Sequence, residues 1–250
     1  MTRYSVLLLA SACLTGCVSM PEGERVDYDP WERANRGMYQ VNDVIDRATT
    51  RPVARAYNAV VPEPVRQGVT NFGQNLMTPS SSLNNFLQGK PRDGFGELLR
   101  FIINSSAGIG GLFDIASGEI TKKLYGIDDP KTEDFGQTAA VWGVPDGPYV
   151  MLPFRGPRTL RDAVLMPLDL LADPLYHYDN SSVRDPLYVL RIINLRARLL
   201  PLEEMLQDSN DPYVTLRESY LQNRQFEVYD GDPPSDDDDL FDEFLEDEDY

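Results

Sequence analysis

Histidine and cysteine are nearly absent from this chain, which has one histidine, His177, and two cysteines, Cys13 and Cys17, in 250 residues. Zinc centres built from cysteine and histidine need several such ligands close together. Cysteine nucleophiles usually need a histidine or another group that stabilises the thiolate. The composition therefore excludes a Cys/His metal centre and thiolate–imidazole catalysis, and no metal site is predicted.

Basic residues are scarce as well. The chain has 23 Lys and Arg against 40 Asp and Glu, which gives a formal net charge of −17. Thirteen of the acids lie in residues 227–250, where there is no Lys or Arg, and this segment is predicted to be an acidic, disordered tail. Sequence-independent binding of nucleic acid requires bases that displace counterions from phosphates. Nucleic acid is therefore not an expected partner.

Long apolar runs are missing beyond residue 17, so no conventional transmembrane helix is predicted there. Residues 1–16 have a basic start and a short apolar run, as in an export signal. Their junction with Cys17, Leu14-Thr15-Gly16-Cys17, resembles the lipobox of bacterial lipoproteins, in which the cysteine is acylated. This resemblance implies a covalent lipid on Cys17, a tether over residues 17–28 and, since residue 18 is not Asp, delivery to the outer membrane. An ordinary secretion signal is the alternative.

Proline is frequent instead, with 17 residues from Pro21 to Pro212. Each proline is expected to end a helix nearby, because it fixes φ and has no N–H donor. Between the prolines, apolar residues recur at intervals of three or four, and strand-like alternation never extends beyond four or five residues. The body, residues 29–226, is therefore predicted to be mainly α-helical, with short amphipathic helices. They are expected near residues 31–48, 53–60, 65–76, 91–104, 132–142, 159–172, 184–199 and 212–226.

Two segments interrupt the helical pattern. Ser105 to Gly111 is a run of small residues, which predicts close helix packing or a bend, because it lacks the glycine spacing and the Lys-Ser/Thr ending of phosphate-binding loops. The stretch from Trp142 to Pro157 combines turn residues with apolar side chains, so it is either a buried crossover or a functional loop. Within it, Gly143 to Pro157 has three glycines and four prolines and is predicted to form a loop or a hairpin between helices.

Five stretches span nearly the whole body: DPWERANRGMYQVNDV (29–44), NFGQNLMTPSSSLNNFLQG (71–89), RFIINSSAGIGGLFD (100–114), EDFGQTAAVWGVPDGPYVMLPFRGPRTLRD (133–162) and DPYVTLRESYLQNRQF (211–226). In sequence and in order they resemble the MlaA (VacJ) family of outer-membrane lipoproteins, which takes part in phospholipid transport.

The resemblance implies a ring of short amphipathic helices that lies in the inner leaflet of the outer membrane, on its periplasmic side, around a polar central channel. Phospholipids that have strayed into the outer leaflet would pass through the channel to a periplasmic carrier protein, and this would maintain lipid asymmetry. A trimeric outer-membrane porin is an expected partner. The amphipathic pattern agrees with this, because such helices can place an apolar rim in acyl chains. An ordinary globular core is the alternative interpretation of the same pattern.

The segment from Gly143 to Pro157 is the candidate moving or channel-lining element. Its apolar side chains would be unfavourable as a patch in water, so they are expected to contact lipid tails or the rim of the ring. Its arginines could meet a phosphate at the mouth of the channel, or they could pair with local acids such as Asp146 and Asp162. The candidate residues are Gly143, Gly147, Tyr149, Met151, Leu152, Phe154, Arg155 and Arg158.

Two other function classes are weighed against transport. A lipid hydrolase would need a nucleophile elbow, but Gly-x-Ser-x-Gly does not occur, and His177 lies between two tyrosines, as a packed or interfacial residue would. A structural lipoprotein that braces porins without transport is the second alternative. The sequence favours a non-enzymatic protein without a cofactor other than the lipid on Cys17.

Overall fold

The computed structural model describes residues 28–126 and 129–234. The predicted signal peptide, the acylated Cys17 and most of the predicted tether lie outside these residues, as do positions 235–250 of the predicted tail. Within the described ranges, no helix combines the length and the apolar character needed to cross a membrane.

The described part is mainly α-helical, as predicted. It contains nine α-helices, one π turn (Asp46–Thr50) and one 3₁₀ turn (Pro174–His177), and two strands that form a single hairpin. The elements are α1 (Glu32–Ile45), α2 (Arg51–Val60), α3 (Glu63–Leu87), α4 (Pro91–Ser106), α5 (Glu119–Tyr125), α6 (Phe135–Val141), β1 (Tyr149–Leu152), β2 (Gly156–Thr159), α7 (Leu160–Ala172), α8 (Ser181–Gln207) and α9 (Pro212–Val228).

Two helices are much longer than predicted, because proline does not end them. Helix α3 has 25 residues and α8 has 27. At Pro201 the missing N–H leaves the carbonyl of Ala197 without its usual helical donor. The side-chain amide of Asn58, on α2, donates to that oxygen at 3.1 Å. The expectation that each proline ends a helix nearby is therefore wrong at four positions: Pro79, Pro167, Pro186 and Pro201.

Helices α3 and α4 form an antiparallel pair around a tight turn. Gly89 has a φ of +77° and Lys90 N–H donates back to the carbonyl of Asn85 at 2.9 Å, which closes the end of α3. Ser82 donates to the carbonyl of Gly94 near the turn, and Asn75 donates to Ser105 at the far end of the pair.

The run of small residues after α4 packs closely, as predicted. A Cβ atom on Gly108 would lie 2.2 Å from the carbonyl oxygen of Phe113, and one on Gly111 would lie 2.5 Å from Cβ of Asn75. Both positions therefore need glycine, because the neighbouring backbone and side chain leave no room.

The predicted hairpin is present. Strands β1 and β2 are antiparallel, with Tyr149 opposite Thr159 and Leu152 opposite Gly156. The hairpin packs against α1 and α9, and Tyr149, Met151 and Tyr213 form the buried apolar core there.

The last helix extends into the predicted tail. Helix α9 ends at Val228, and Lys90 forms an ion pair with Asp230. The predicted start of the disordered tail at residue 227 therefore falls inside a helix.

Candidate functional site

The distribution of polar and apolar side chains is inverted relative to a water-soluble domain. Eight hydrophobic residues are buried among the described residues, and four of these are alanines. By contrast, twenty-three polar or charged residues are buried there. Domains in water bury mainly large aliphatic and aromatic side chains and expose most charged ones.

The large apolar side chains point outward. Ile120, Val60 and Phe154 are 82%, 79% and 78% exposed. Whole stripes are exposed along two helices, namely Phe95, Leu98 and Ile102 on α4, and Val189, Ile192, Leu195, Leu199 and Leu202 on α8. Apolar patches of this extent mark surfaces that contact lipid or another protein.

Arginine and carboxylate pairs hold the interior together. Arg224 of α9 donates to both oxygens of Asp134 and both oxygens of Asp162, at 2.7 to 3.0 Å. Burial alone would raise the pKa of Asp162, but its hydrogen bond and its attraction to Arg224 hold that pKa below the usual value. A Cβ on Gly136 would lie 2.3 Å from Oδ1 of Asp162, so glycine is required beside this network.

A second network joins the first described residues to α9. Asp29, which is 1% exposed, accepts from Tyr213 at 2.5 Å, from Arg217 at 2.7 Å and from Asn35 at 2.8 Å. The start of the described chain is thereby fixed against the helix farthest from it in sequence.

A third network lies at the π turn. Both oxygens of Asp46 accept from Arg196 of α8 at 2.8 Å, and Arg196 also contacts Glu203 at 2.7 Å. Burial opposes the charge on Asp46, but the hydrogen bonds from Arg196 and Thr50 lower its pKa to about 2. The π turn is therefore attached to α8 by a charged pair.

Two asparagines of α1 fix the hairpin in place. Asn35 donates to the carbonyl of Tyr149 at 3.0 Å and accepts from the N–H of Met151 at 2.9 Å. Two helical turns later, Asn42 donates to the carbonyl of Leu152 at 2.8 Å and accepts from the N–H of Phe154 at 2.9 Å. This pair is not among the predicted site residues, although two asparagines seven residues apart on one helix are a signal in the sequence.

The structure corrects part of the predicted site. Tyr149 and Met151 are 1% and 6% exposed and belong to the internal core, so they do not contact lipid tails, which is one of the two surroundings expected for them. Leu152 is only partly buried, and Gly143 and Gly147 have positive φ angles that suit the predicted turns. The apolar side chain that remains exposed at the tip of the hairpin is Phe154, with a φ of +60°.

Neither predicted arginine of the hairpin pairs with the local acids. Asp146 instead pairs with Arg161 at 2.6 Å, and Asp162 is held by Arg224 and Arg161. Arg158 donates to the carbonyl of Pro157, and Arg155 is exposed. Within the described ranges, neither Arg155 nor Arg158 contacts a carboxylate, so the pairing alternative is wrong and a role toward phosphate stays a prediction.

In the described part of the chain, the ring of His177 contacts a backbone carbonyl and a tyrosine ring. Nε2 lies 2.6 Å from the carbonyl oxygen of Leu171, and the ring stands edge-on to Tyr176 with 5.4 Å between centroids. Among the described residues, no group of three or more histidine, cysteine or acidic side chains could hold a metal ion.

A polar cleft, called here the α2–α3–α8 cleft, opens between helices α2, α3 and α8. Its volume is about 360 Å³. Its walls are connected by hydrogen bonds, because Asn194 donates to Thr70 at 2.8 Å and accepts from Tyr57 at 3.1 Å. The lining residues are Asn58, Glu63, Arg66, Gln67, Thr70, Asn194, Ala197, Arg198 and Pro201.

Comparison with known proteins gives consistent matches. A family model described as "MlaA lipoprotein" matches residues 27–227. The "Intermembrane phospholipid transport system lipoprotein MlaA" of Shigella flexneri is 39% identical over 225 residues, which cover 90% of this chain and 88% of that protein. The protein of the same name from Escherichia coli (strain K12) is 38% identical over 228 residues, with the same coverage.

A solved structure also resembles this fold. It is described as "Structural basis for maintenance of bacterial outer membrane lipid asymmetry", is 40% identical in sequence and superposes with a TM-score of 0.67. The match covers 80% of this chain and 98% of the other.

Proposed function

The chain belongs to the MlaA lipoprotein family, and on that premise we propose that it is the lipid-anchored outer-membrane component of a phospholipid transport system. In this function it removes mislocalised phospholipids from the outer leaflet and passes them to a periplasmic carrier protein, which maintains lipid asymmetry. The relatives are named for intermembrane phospholipid transport.

The single observation that carries the proposal is the inverted distribution of side chains. Large apolar residues cover the outside, while charged and amide side chains fill the inside. Such a molecule is stable where hydrocarbon contacts its surface, because exposed apolar area then costs little. A polar interior is also what a phospholipid headgroup needs on its way through an apolar layer, since an unpaired charge in hydrocarbon is costly.

The finer parts of the proposal follow from this environment. Helices that do not span the bilayer can lie in its inner leaflet as a ring, with the polar side chains around a central channel. The lipid on Cys17 would anchor the periplasmic side, and a porin trimer would complete the assembly. The protein would need no metal or organic cofactor and would catalyse no covalent reaction, because moving a lipid breaks no bond.

The two tryptophans offer a direct test of embedding. Trp31 is 46% exposed and Trp142 is 63% exposed, so both indole rings can meet the surroundings. In vesicles with brominated acyl chains, we expect strong quenching of tryptophan fluorescence in the full lipoprotein. Trp31→Phe and Trp142→Phe variants separate the two signals. Fluorescence equal to that in unbrominated vesicles would contradict embedding.

Transport is tested by reconstitution. We expect the full lipoprotein, together with the porin, to accelerate the transfer of a labelled phospholipid from vesicles to a soluble carrier. A protein that only braces porins would co-purify with the trimer and leave the transfer rate at the background level. The control is Gln222→Glu, because Gln222 is an exposed polar residue of α9 and its substitution leaves the apolar exterior unchanged. Ile102→Glu places a charge on that exterior and is expected to slow transfer.

A further inference from the structure

The α2–α3–α8 cleft carries an excess of positive charge, because the single carboxylate in its lining neutralises only one of its two arginines. Two guanidinium groups, those of Arg66 and Arg198, line it together with one carboxylate, that of Glu63. Arg66 pairs with Glu63 and also donates to Asn58. The charge of Arg198 therefore remains for a ligand.

Arg198 differs from the other arginines on its helix. Within the residues that the structure describes, the other three arginines of α8 contact carboxylates at 2.9 Å or less: Arg184 with Asp185, Arg191 with Asp173, and Arg196 with both Asp46 and Glu203. Arg198 has no carboxylate within ion-pair distance in the same ranges, although it is only two residues from Arg196. Three arginines of α8 therefore form ion pairs within the protein, while Arg198 lines the cleft.

Arg66 contributes a second unused donor. Its Nε is buried and has no hydrogen-bond acceptor, while its two terminal nitrogens are occupied by Glu63 and Asn58. A buried donor without an acceptor is costly, and a ligand oxygen would remove that cost. Because the other two nitrogens are fixed, the position of Nε is also fixed.

An apolar stripe borders the polar face of α8. At about 100° per residue, Asn194, Arg198 and Pro201 lie on one face of the helix. Leu195, Leu199 and Leu202 lie about a third of a turn further round and are 57%, 43% and 52% exposed. Arg198 falls on the side of the polar face nearest to the leucines. The surface therefore places a cation between a polar cleft and a strip that suits an acyl chain.

We propose that the α2–α3–α8 cleft binds the phosphodiester of a phospholipid headgroup, with Arg198 as its principal contact and Nε of Arg66 as a second donor. The acyl chains lie along the leucine stripe of α8. This inference rests on the proposed function and assigns it a site. Free phosphate could also pair with the arginines, but it would not contact the leucines. A phospholipid is therefore the ligand that both the arginines and the leucine stripe favour.

The test measures lipid binding by the full lipoprotein in a nonionic detergent. The probe is short-chain phosphatidylglycerol, followed by calorimetry. We expect Arg198→Gln to weaken binding roughly tenfold or more, as for loss of a hydrogen bond to a charged group. Arg198→Lys keeps the charge but not the planar fork, so it should weaken binding less. Arg33→Gln is the matched control, because Arg33 is an exposed arginine of α1 outside the cleft.

Two further ligands show separately what the phosphate group and the acyl chains contribute to binding. Inorganic phosphate should bind far more weakly than the lipid, and short-chain diacylglycerol should bind equally to the wild type and to Arg198→Gln. Equal loss of lipid binding in Arg198→Gln and Arg33→Gln, or no loss in either, overturns the proposal. Phosphate that binds as tightly as the lipid overturns it as well.

The transfer assay keeps the two proposals apart. If the wild-type protein does not accelerate transfer, the proposed function fails. If the wild type transfers lipid and Arg198→Gln transfers it at the same rate and binds it with the same affinity, only the assignment of the cleft fails.

Discussion

The hairpin end of the molecule and the α2–α3–α8 cleft use arginine in opposite ways. At the hairpin end, Arg217 and Arg224 are each nearly fully buried and contact two or more carboxylates. At the cleft, Arg198 is exposed and has no carboxylate within ion-pair distance in the described ranges. Charge at the first place stabilises the fold, while charge at the second is available for a ligand. Substitutions should therefore change stability at one end and binding at the other.

The largest expected effect is the loss of Arg224. An Arg224→Ala substitution leaves Asp162 buried and removes its two hydrogen bonds from the guanidinium. Removing one partner of a buried ion pair typically costs about 3–5 kcal/mol. We expect a decrease of that size in the free energy of unfolding, measured by denaturant titration in detergent. Arg155→Ala, which alters an exposed arginine, should change stability little, and equal stabilities of the two variants would contradict the comparison.

A smaller effect is expected from the two asparagines that hold the hairpin. Asn35 is 5% exposed and Asn42 is only partly buried. An unsatisfied buried polar group costs about 1–3 kcal/mol, so Asn35→Ala should destabilise the whole fold. Asn42→Ala should mainly loosen the tip, because its partners are Leu152 and Phe154.

Hydrogen exchange separates the two asparagines. We expect faster exchange at Met151 in Asn35→Ala and faster exchange at Phe154 in Asn42→Ala, since each amide N–H loses its acceptor. Exchange that rises equally at both amides in both variants would show that the hairpin opens as one unit.

Asp169, at the hairpin end of the molecule, should make the stability of the fold depend on pH. Burial and the nearby charge of Asp134 raise its pKa to about 6, although the N–H of Phe135 donates to it at 3.0 Å. The pKa of Asp169 is thus higher in the folded protein than the value of 3.8 in the unfolded chain. The contribution of protonated Asp169 to the free energy of unfolding is therefore fully present below pH 3.8 and is lost as the pH rises through about 6.

An Asp169→Asn variant should lack this dependence, since its amide oxygen can still accept from Phe135 and does not ionise. Free energies of unfolding measured from pH 4 to pH 7 should therefore fall more in the wild type than in the variant. Parallel curves would mean that Asp169 does not titrate in this window. Asp46, with its pKa lowered to about 2, contributes its stability above pH 3.8 and loses it only as the pH falls through 2.

The spacing of apolar residues predicts most of the helices but not where they end. The predicted helices at 91–104 and 159–172 lie within one or two residues of the observed ones. Helices α3 and α8 are longer than predicted, because Pro79, Pro186 and Pro201 lie inside them and do not end them. At Pro201 the lost hydrogen bond is replaced by one from the side chain of Asn58, more than 130 residues away in sequence. Local sequence carries no information about such a partner.

The candidate site was predicted in part. Gly143 to Pro157 contains the hairpin that was expected from its glycines and prolines, but Tyr149 and Met151 face the protein. Their direction depends on Asn35 and Tyr213, which approach from other elements. The cleft could not be predicted at all, because its lining comes from three helices whose relative positions are set by long-range charge pairs such as that of Asp46 with Arg196.

The smallest expected effect concerns the arginines of the hairpin. Arg155 and Arg158 contact no carboxylate in the described ranges, as is true of Arg198, but Arg155 is exposed at the tip of the hairpin and Arg158 is half-buried on β2, and neither lines the cleft. A phosphate at an open surface such as that around Arg155 is well hydrated, so its contact with an arginine is worth little, and Arg158 already donates to the carbonyl of Pro157. We expect Arg155→Ala with Arg158→Ala to slow lipid transfer only a few-fold, on the scale of an exposed ion pair, and to leave the affinity for short-chain phosphatidylglycerol unchanged. Arg198→Gln should lower both. Transfer at the wild-type rate in the double variant would remove any role of the hairpin arginines toward the headgroup, whereas a loss of affinity as large as that of Arg198→Gln would move the binding site from the cleft to the hairpin.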